Sequence, residues 1–177
     1  MPTYDQGTAE CLIYSFKEGL LARLAHDLKL RVQRLQVRLD PETPAVEAVL
    51  DTRSVEVLCF RRDGQDDPKP IGAGDRSQIE KNVHQDVLAS ARFPEARFIS
   101  TAVTATADGF TVRGTLTLHG RSAELTAPVR RDGRRYLATV TLRPSQFGIK
   151  PYTAALGALK VRDEVTVTLS VPIPEPA

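Results

Sequence analysis

Apolar residues recur on every second position through most of the chain. The pattern is cleanest from Phe110 to Val129, where a strand, a tight turn and a second strand fit into twenty residues. Phe110, Val112, Leu116 and Leu118, with Gly114 in phase, take one face, and Thr111, Arg113, Thr115, Thr117 and His119 take the other. Gly120-Arg121 suits a two-residue type II′ turn. After it Ala123, Leu125, Ala127 and Val129 carry the apolar face onward, so both strands bury one side and wet the other.

The same period extends outward from this hairpin. Cys11 to Phe16 reads as a strand, followed by a short helical or turn-like connection over Glu18 to Ala25, with Leu20, Leu21 and Leu24 on its apolar side. From His26 the alternation resumes, with His26, Leu28, Leu30 and Val32 on one face, and then slips by one residue to Leu35, Val37 and Leu39. Such a slip predicts a β-bulge, which bends a strand and helps a sheet close. Pro41 and Pro44 bracket a turn before Ala45 to Asp51, and Ser54 to Phe60 makes another strand. Phe98 to Thr106, Tyr136 to Leu142 and Val165 to Val171 complete the set, with Asp132-Gly133 as a type I′ hairpin signal. A polar loop over 61–74 leads into one main helix over about 76–91, with Asp75 as N-cap and Ile79, Val83, Val87 and Ala91 at helical spacing before Phe93-Pro94. About nine strands with short connections predict an all-β chain whose antiparallel sheet curls shut or folds into a sandwich. One domain spans 1–177, ending in a disordered tail from about 173.

Three of these stretches together resemble the YceI-like family. The first is the hairpin with its Gly-x-Leu-Thr strand end and closing Pro-Val, and the second is Ser145-Gln146-Phe147-Gly148-Ile149 downstream. The third is Asn82 to Ser100, a helix followed by Phe-Pro and an aromatic strand start. The resemblance runs from about Cys11 to Val171 and implies a lipocalin-like antiparallel β-barrel that holds an isoprenoid or another long amphiphilic lipid. The family commonly has an Arg-Asp-x-His-Leu type sequence entering its helix, where this chain reads DRSQIEKNV after its polar loop. Many relatives are exported, and family likeness makes a homodimer plausible.

Charge and motif content narrow the function classes. A formal net charge of +2 argues against a dedicated nucleic-acid binder, which needs a strong basic stripe. The start MPTYDQGTAE has neither a basic nor an apolar leader region, and no later apolar run is long enough to span a membrane, so the expected compartment is the cytoplasm. Cys11 and Cys59 lack paired spacing and read as free buried thiols. No GxSxG, HExxH or paired-cysteine motif is present. Gly72-Ala73-Gly74 ahead of a helix hints at phosphate binding, but Asp75 would occupy the helix N-terminus and repel an anion. His26 and Asp27 are strand neighbours on opposite faces and cannot form an acid/base dyad. His84 and His119 show no metal-site spacing. Arg130, Arg131, Arg134 and Arg135 read as a solvated hairpin tip, or as a basic patch if that tip rims a barrel mouth.

The expected function is non-enzymatic binding, storage or transport of a long apolar ligand inside the barrel, with no cofactor, no metal and at most peripheral membrane contact. The expected lining is His26, Leu28, Leu30 and Val32 on one strand and Phe110, Val112, Leu116 and Leu118 on another. A third group comes from the segment FGIKPYTAALGALKV, namely Phe147, Ile149, Tyr152, Leu156 and Leu159. Of these, Ile149, Tyr152, Leu156 and Leu159 fall on a helix-like stripe that fits either a static plug or a movable lid. His26 or Tyr152 would supply polar selectivity. A side-chain-filled scaffold barrel and a barrel enzyme stand as alternatives, and cavity volume discriminates the first of them from a carrier.

Overall fold

The computed structural model describes residues 2–19, 25–40 and 45–174. In chain order it has strands β1 (Thr3–Asp5), β2 (Glu10–Glu18), β3 (Asp27–Val32), β4 (Leu35–Asp40), β5 (Ala45–Asp51), β6 (Val55–Arg62) and β7 (Gln65–Asp66). Helix α1 (Ala73–Asn82) continues through a wide turn, Val83–Val87. Then come β8 (Glu95–Thr106), β9 (Gly109–Leu118), β10 (Arg121–Asp132), β11 (Arg135–Leu142), β12 (Thr153–Ala154) and β13 (Leu159–Pro172). The expected connection through Leu20, Leu21 and Leu24 and the turn at Pro41 and Pro44 lie outside the described residues.

All the strands belong to one sheet in the order β1-β4-β5-β8-β9-β10-β11-β13-β2-β3-β6-β7, with β12 on β13. Every pairing is antiparallel. β3 and β4 follow each other in sequence yet stand near opposite ends of this order. They are two halves of one strand, kinked at Gln33-Arg34, and β5 and β6 are the matching halves of its partner, kinked at Thr52–Ser54. The kinked hairpin thus belongs to both ends of the sheet and joins them, giving a lipocalin-like antiparallel barrel. The phase slip after Val32 is this kink, not the expected bulge. Bulges occur elsewhere, where the register shifts opposite Lys29/Leu30, between Ser100 and Ala102, and between Val161 and Val165.

Polar groups fix the kink. Asp51 accepts hydrogen bonds from Arg34 Nε (3.1 Å) and Nη2 (3.0 Å) on the facing leg, and from Arg53 N (2.9 Å) and Nε (3.0 Å) on its own. Buried Ser54 accepts from Arg34 N (2.9 Å) and donates to Asp51 O (2.7 Å). Thr52 donates through Oγ1 to Phe93 O (2.6 Å), and buried Ser90 donates to Thr52 O (3.2 Å). The Ser90 hydroxyl spends its one proton there, so His84 Nδ1, 3.2 Å from Ser90 Oγ, is the donor in that contact. These bonds tie the chain after α1 to the bend.

Turn chemistry departs from expectation by one residue in two places. Arg121 pairs with Leu118, so the β9–β10 turn is His119-Gly120, with φ of 52° and 72°. Two positive values define type I′, and the left-handed strain at His119 is offset by contact with the Phe93 ring, centroids 4.3 Å apart and planes tilted by 47°. The β10–β11 turn is Gly133-Arg134, positive in φ at Gly133 alone, as type II′ requires. Helix α1 begins at Ala73 behind Gly72, so Asp75 lies inside the first turn, where it favours the helix dipole without capping.

The Arg53 contacts, with those of Arg34, hold the Asp51 carboxyl well below the usual carboxylate range. A depressed native pKa stabilises the fold at pH above the ordinary aspartate value near 4, and that contribution drains away as pH falls from there toward the native value. Asp51→Asn is therefore expected to be less stable than wild type at neutral pH, with the gap closing below about pH 4. Chemical denaturation across that pH range checks this, and a gap that stays constant into acid would contradict it.

Candidate functional site

Inward-facing side chains alternate along every long strand, and they leave the centre open. The barrel encloses a cavity of about 1050 Å³. Its wall takes Cys11, Ile13, Ser15 and Lys17 from β2, Val46, Ala48 and Leu50 from β5, Leu125, Ala127 and Val129 from β10, and Tyr136, Ala138, Val140 and Leu142 from β11. β13 adds Val165, Val167, Leu169 and Val171. Many of these residues are only half-buried although they point inward, because their remaining surface faces the cavity.

Most sequence-predicted residues are brought together on this wall: His26, Leu28, Leu30 and Val32; Phe110, Val112, Leu116 and Leu118; and Ile149, Tyr152 and Leu159. Two are not. Phe147 is 2% exposed and packs behind the wall with Leu116 and Ile149. Leu156 is fully exposed, because the expected amphipathic turn is instead a short hairpin. Thr153 pairs with Lys160 and Ala154 with Leu159, and Leu156 sits at the tip with φ 55° and its side chain in solvent. Ile173 and Pro174, within the expected tail, line the opposite end of the cavity, and Ile173 N donates to Arg134 O (3.0 Å).

Sequence reading missed the rows on β2, β5, β10, β11 and β13 as lining, although VTVTLSV displays the same alternation as Phe110 to Leu118. It foresaw the helix but not its place in the wall. Along Val55 to Phe60 the edge of β6 turned away from β3 has no strand beside it among the described residues, since β7 covers only Arg61 and Arg62. Helix α1 stands there instead. Val57 donates its N–H to Glu80 Oε1 (3.0 Å), and Arg76 Nη1 donates to the Val57 carbonyl. Two helix side chains thereby replace the ladder bonds a strand would make, while Ile79 and Val83 face the cavity and complete its side wall.

Most polar wall residues gather at one end; Asp40 and Thr52 lie elsewhere on the wall. Lys17, His26, Asp75, Gln78, Asn82, Tyr152, Lys160 and Arg162 ring the mouth formed by the ends of β2, β3, α1 and the β12–β13 hairpin. Asn82 Nδ2 donates to the Tyr152 hydroxyl (3.2 Å), linking helix to hairpin, and His26 stacks on Phe60 at 4.2 Å. Asp27 faces away and accepts from Lys17 N (2.8 Å), as strand parity requires. Deeper in, burial pushes the Cys11 thiol up to about 12, assisted by Glu10, so it stays protonated and unreactive. No three metal-binding side chains converge among the described residues.

Such a wall, long, mostly apolar and most polar at its mouth, fits what the comparisons find. Residues 23–173 match the YceI-like domain model. The chain belongs to the YceI-like family. Solved structures share the fold at low identity. BcnA of Burkholderia cenocepacia is 17% identical with a TM-score of 0.66, the match covering 96% of this chain and 99% of that one. A polyisoprenoid-binding domain from Saccharophagus degradans, described as implicated in plant cell wall breakdown, is 14% identical with a TM-score of 0.58, at 97% of both chains. The YCEI protein of Campylobacter jejuni is 13% identical with a TM-score of 0.53, at 80% of both chains. A search of curated protein sequences finds no significant match.

Removing the Glu80 carboxylate leaves the Val57 amide without its partner beside an apolar cavity. Glu80→Ala is expected to cost about 1–3 kcal/mol, and Glu80→Gln, which keeps an acceptor, clearly less. Amide exchange at Val57 should quicken in Glu80→Ala. Unchanged exchange there would show that the helix does not cap this edge.

Proposed function

We propose that the barrel binds a long apolar or amphiphilic lipid, a polyisoprenoid, an isoprenoid quinone or a fatty-acid-like chain, and stores or carries it without acting on it chemically. The observation that carries this reading is the cavity. At about 1050 Å³ it is as large as the roomiest common small-molecule pockets, and its wall is almost wholly aliphatic and aromatic. A side-chain-filled scaffold would have no such space. Each methylene sequestered contributes about 0.8 kcal/mol, so a chain of a dozen or more carbons can be held with few polar contacts. The polar mouth supports an amphiphile that enters tail first, with Leu28, Leu30, Val32, Phe110, Val112, Leu116, Leu118, Ile149 and Leu159 against the chain and His26 and Tyr152 near the headgroup. The polyisoprenoid-binding description of the Saccharophagus domain points to the same ligand class.

No array of nucleophile, base and orienting partner is among the wall residues, so the reading stays with binding, not catalysis.

Filling the cavity should shorten the cargo. Ala127 is small, inward-facing and 7% exposed, with β9 and β11 on either side of its strand. In Ala127→Phe the ring would occupy the space of several methylenes. Solvent extraction of the purified variant followed by mass spectrometry should return shorter chains, or markedly less lipid, than wild type. An identical chain-length distribution in a folded variant would contradict binding in this cavity.

A further inference from the structure

The segment from Arg143 to Arg162 has two faces with different chemistry. Its inward residues Ile149, Tyr152 and Leu159 line the cavity mouth. At its tip Leu156 points the other way, with a relative exposure of 109%. Leu156 also holds a left-handed backbone (φ 55°, ψ 34°) that branched aliphatic side chains rarely adopt. The fold gains no burial from this leucine.

The segment that carries it is charged in one sense only. Between 143 and 162 the chain carries Arg143, Lys150, Lys160 and Arg162 and no acidic residue. All four are exposed. Lys17 adds a cation at the same mouth. The neighbouring acids are Glu18, opposite Lys160 in register, Asp75 at the helix start, Asp163, which accepts from Ser145 N (2.9 Å), and Glu164. The arginine-rich tip at the far end differs. Arg135 is bound to Thr8 O and Ser170, Arg130 reaches Asp132 at 3.8 Å, and among the described residues no large hydrophobic side chain stands exposed beside them.

We propose that this hairpin is a docking lip that seats the cavity mouth on an anionic bilayer. Leu156 enters the headgroup region, the surrounding Lys and Arg side chains are drawn to anionic lipids, and the opening lined by Tyr152 and Leu159 faces the membrane from which an amphiphile would come. An exposed apolar tip on a segment whose charged residues are all cationic matches the two-part chemistry of such a surface, apolar depth beneath negative charge. The inference rests on the lipid-carrier reading for its purpose, but its test is separate.

The full chain is incubated with vesicles of phosphatidylcholine alone or mixed with phosphatidylglycerol, and sedimented. Wild type should co-sediment with the mixed vesicles, weakly with the neutral ones, and less as salt is raised. Leu156→Ser should weaken binding about ten-fold and Lys150→Glu about five-fold or more. Both variants should keep the wild-type melting temperature and the wild-type lipid content by native mass spectrometry, since neither side chain lines the cavity. Equal binding to neutral and anionic vesicles would overturn the proposal, as would Leu156→Ser sedimenting like wild type. So would a wild-type dimer that Leu156→Ser dissolves, which would assign the leucine to a second copy of this chain. Loss of docking with unchanged cargo separates the lip from the carrier, and docking by a protein empty of lipid would leave the lip standing without it.

Discussion

The kink at Gln33-Arg34 and Thr52–Ser54 is the constraint from which the architecture derives. A hairpin bent there cannot offer one continuous edge to one neighbour, so β4 and β5 pair with β1 and β8 while β3 and β6 pair with β2 and β7. The bend therefore closes the ring and at the same moment opens a gap beside β6. Asp51 holds the two legs at the angle, and the buried hydroxyls of Thr52, Ser54 and Ser90 anchor the segment between α1 and β8 to the same point. Helix α1 fills the gap with side-chain hydrogen bonds where a strand would use its backbone. A helix held to β6 through Val57 and to the β12–β13 hairpin through Asn82 completes the wall without tightening it.

The cavity arises from the sizes of the inward residues. Ala48, Ala127 and Ala138 stand at inward positions on three strands, and Ser15 and Gly114 are small positions on two more. At Gly114 a Cβ would lie 2.6 Å from the Phe98 ring, so the glycine makes room for one aromatic side chain to turn inward. Valine fills most of the remaining row on β13. Most of the fully buried apolar residues fall in two clusters. One lies around the kink and includes Leu30, Val37, Ala48, Val55 and Val57, and the other holds Leu116, Phe147 and Ile149. Stability is concentrated in these regions while the lumen stays open, an arrangement suited to a ligand that supplies the missing packing.

The strands were legible in the sequence because one-sided burial writes itself as alternation. Their inner faces could be assigned from His26 to Val32 and from Phe110 to Leu118 for the same reason. The kink was legible only as a slip in phase, and a slip of one residue does not distinguish a bulge from a bend that changes neighbours. That distinction depends on strand order, which is set by long-range pairing. The β12–β13 hairpin was misread because Ile149, Tyr152, Leu156 and Leu159 fit a helical spacing by number alone. Gly157 and the pairing of Thr153 with Lys160 override it. Nothing local signals that Glu80 and Arg76 serve a strand edge, since their partner Val57 lies some twenty residues away.

A cavity of this size and apolarity, held open by a packed bend and a side-bonded helix, is the centre of the account. Native mass spectrometry of the protein as purified tests it most directly. A folded carrier should appear with a discrete adduct of lipid mass that organic extraction removes, leaving the bare chain able to take up an added polyisoprenoid or fatty acid. A folded protein found only at its bare mass, and refusing every such chain offered in excess, would contradict it.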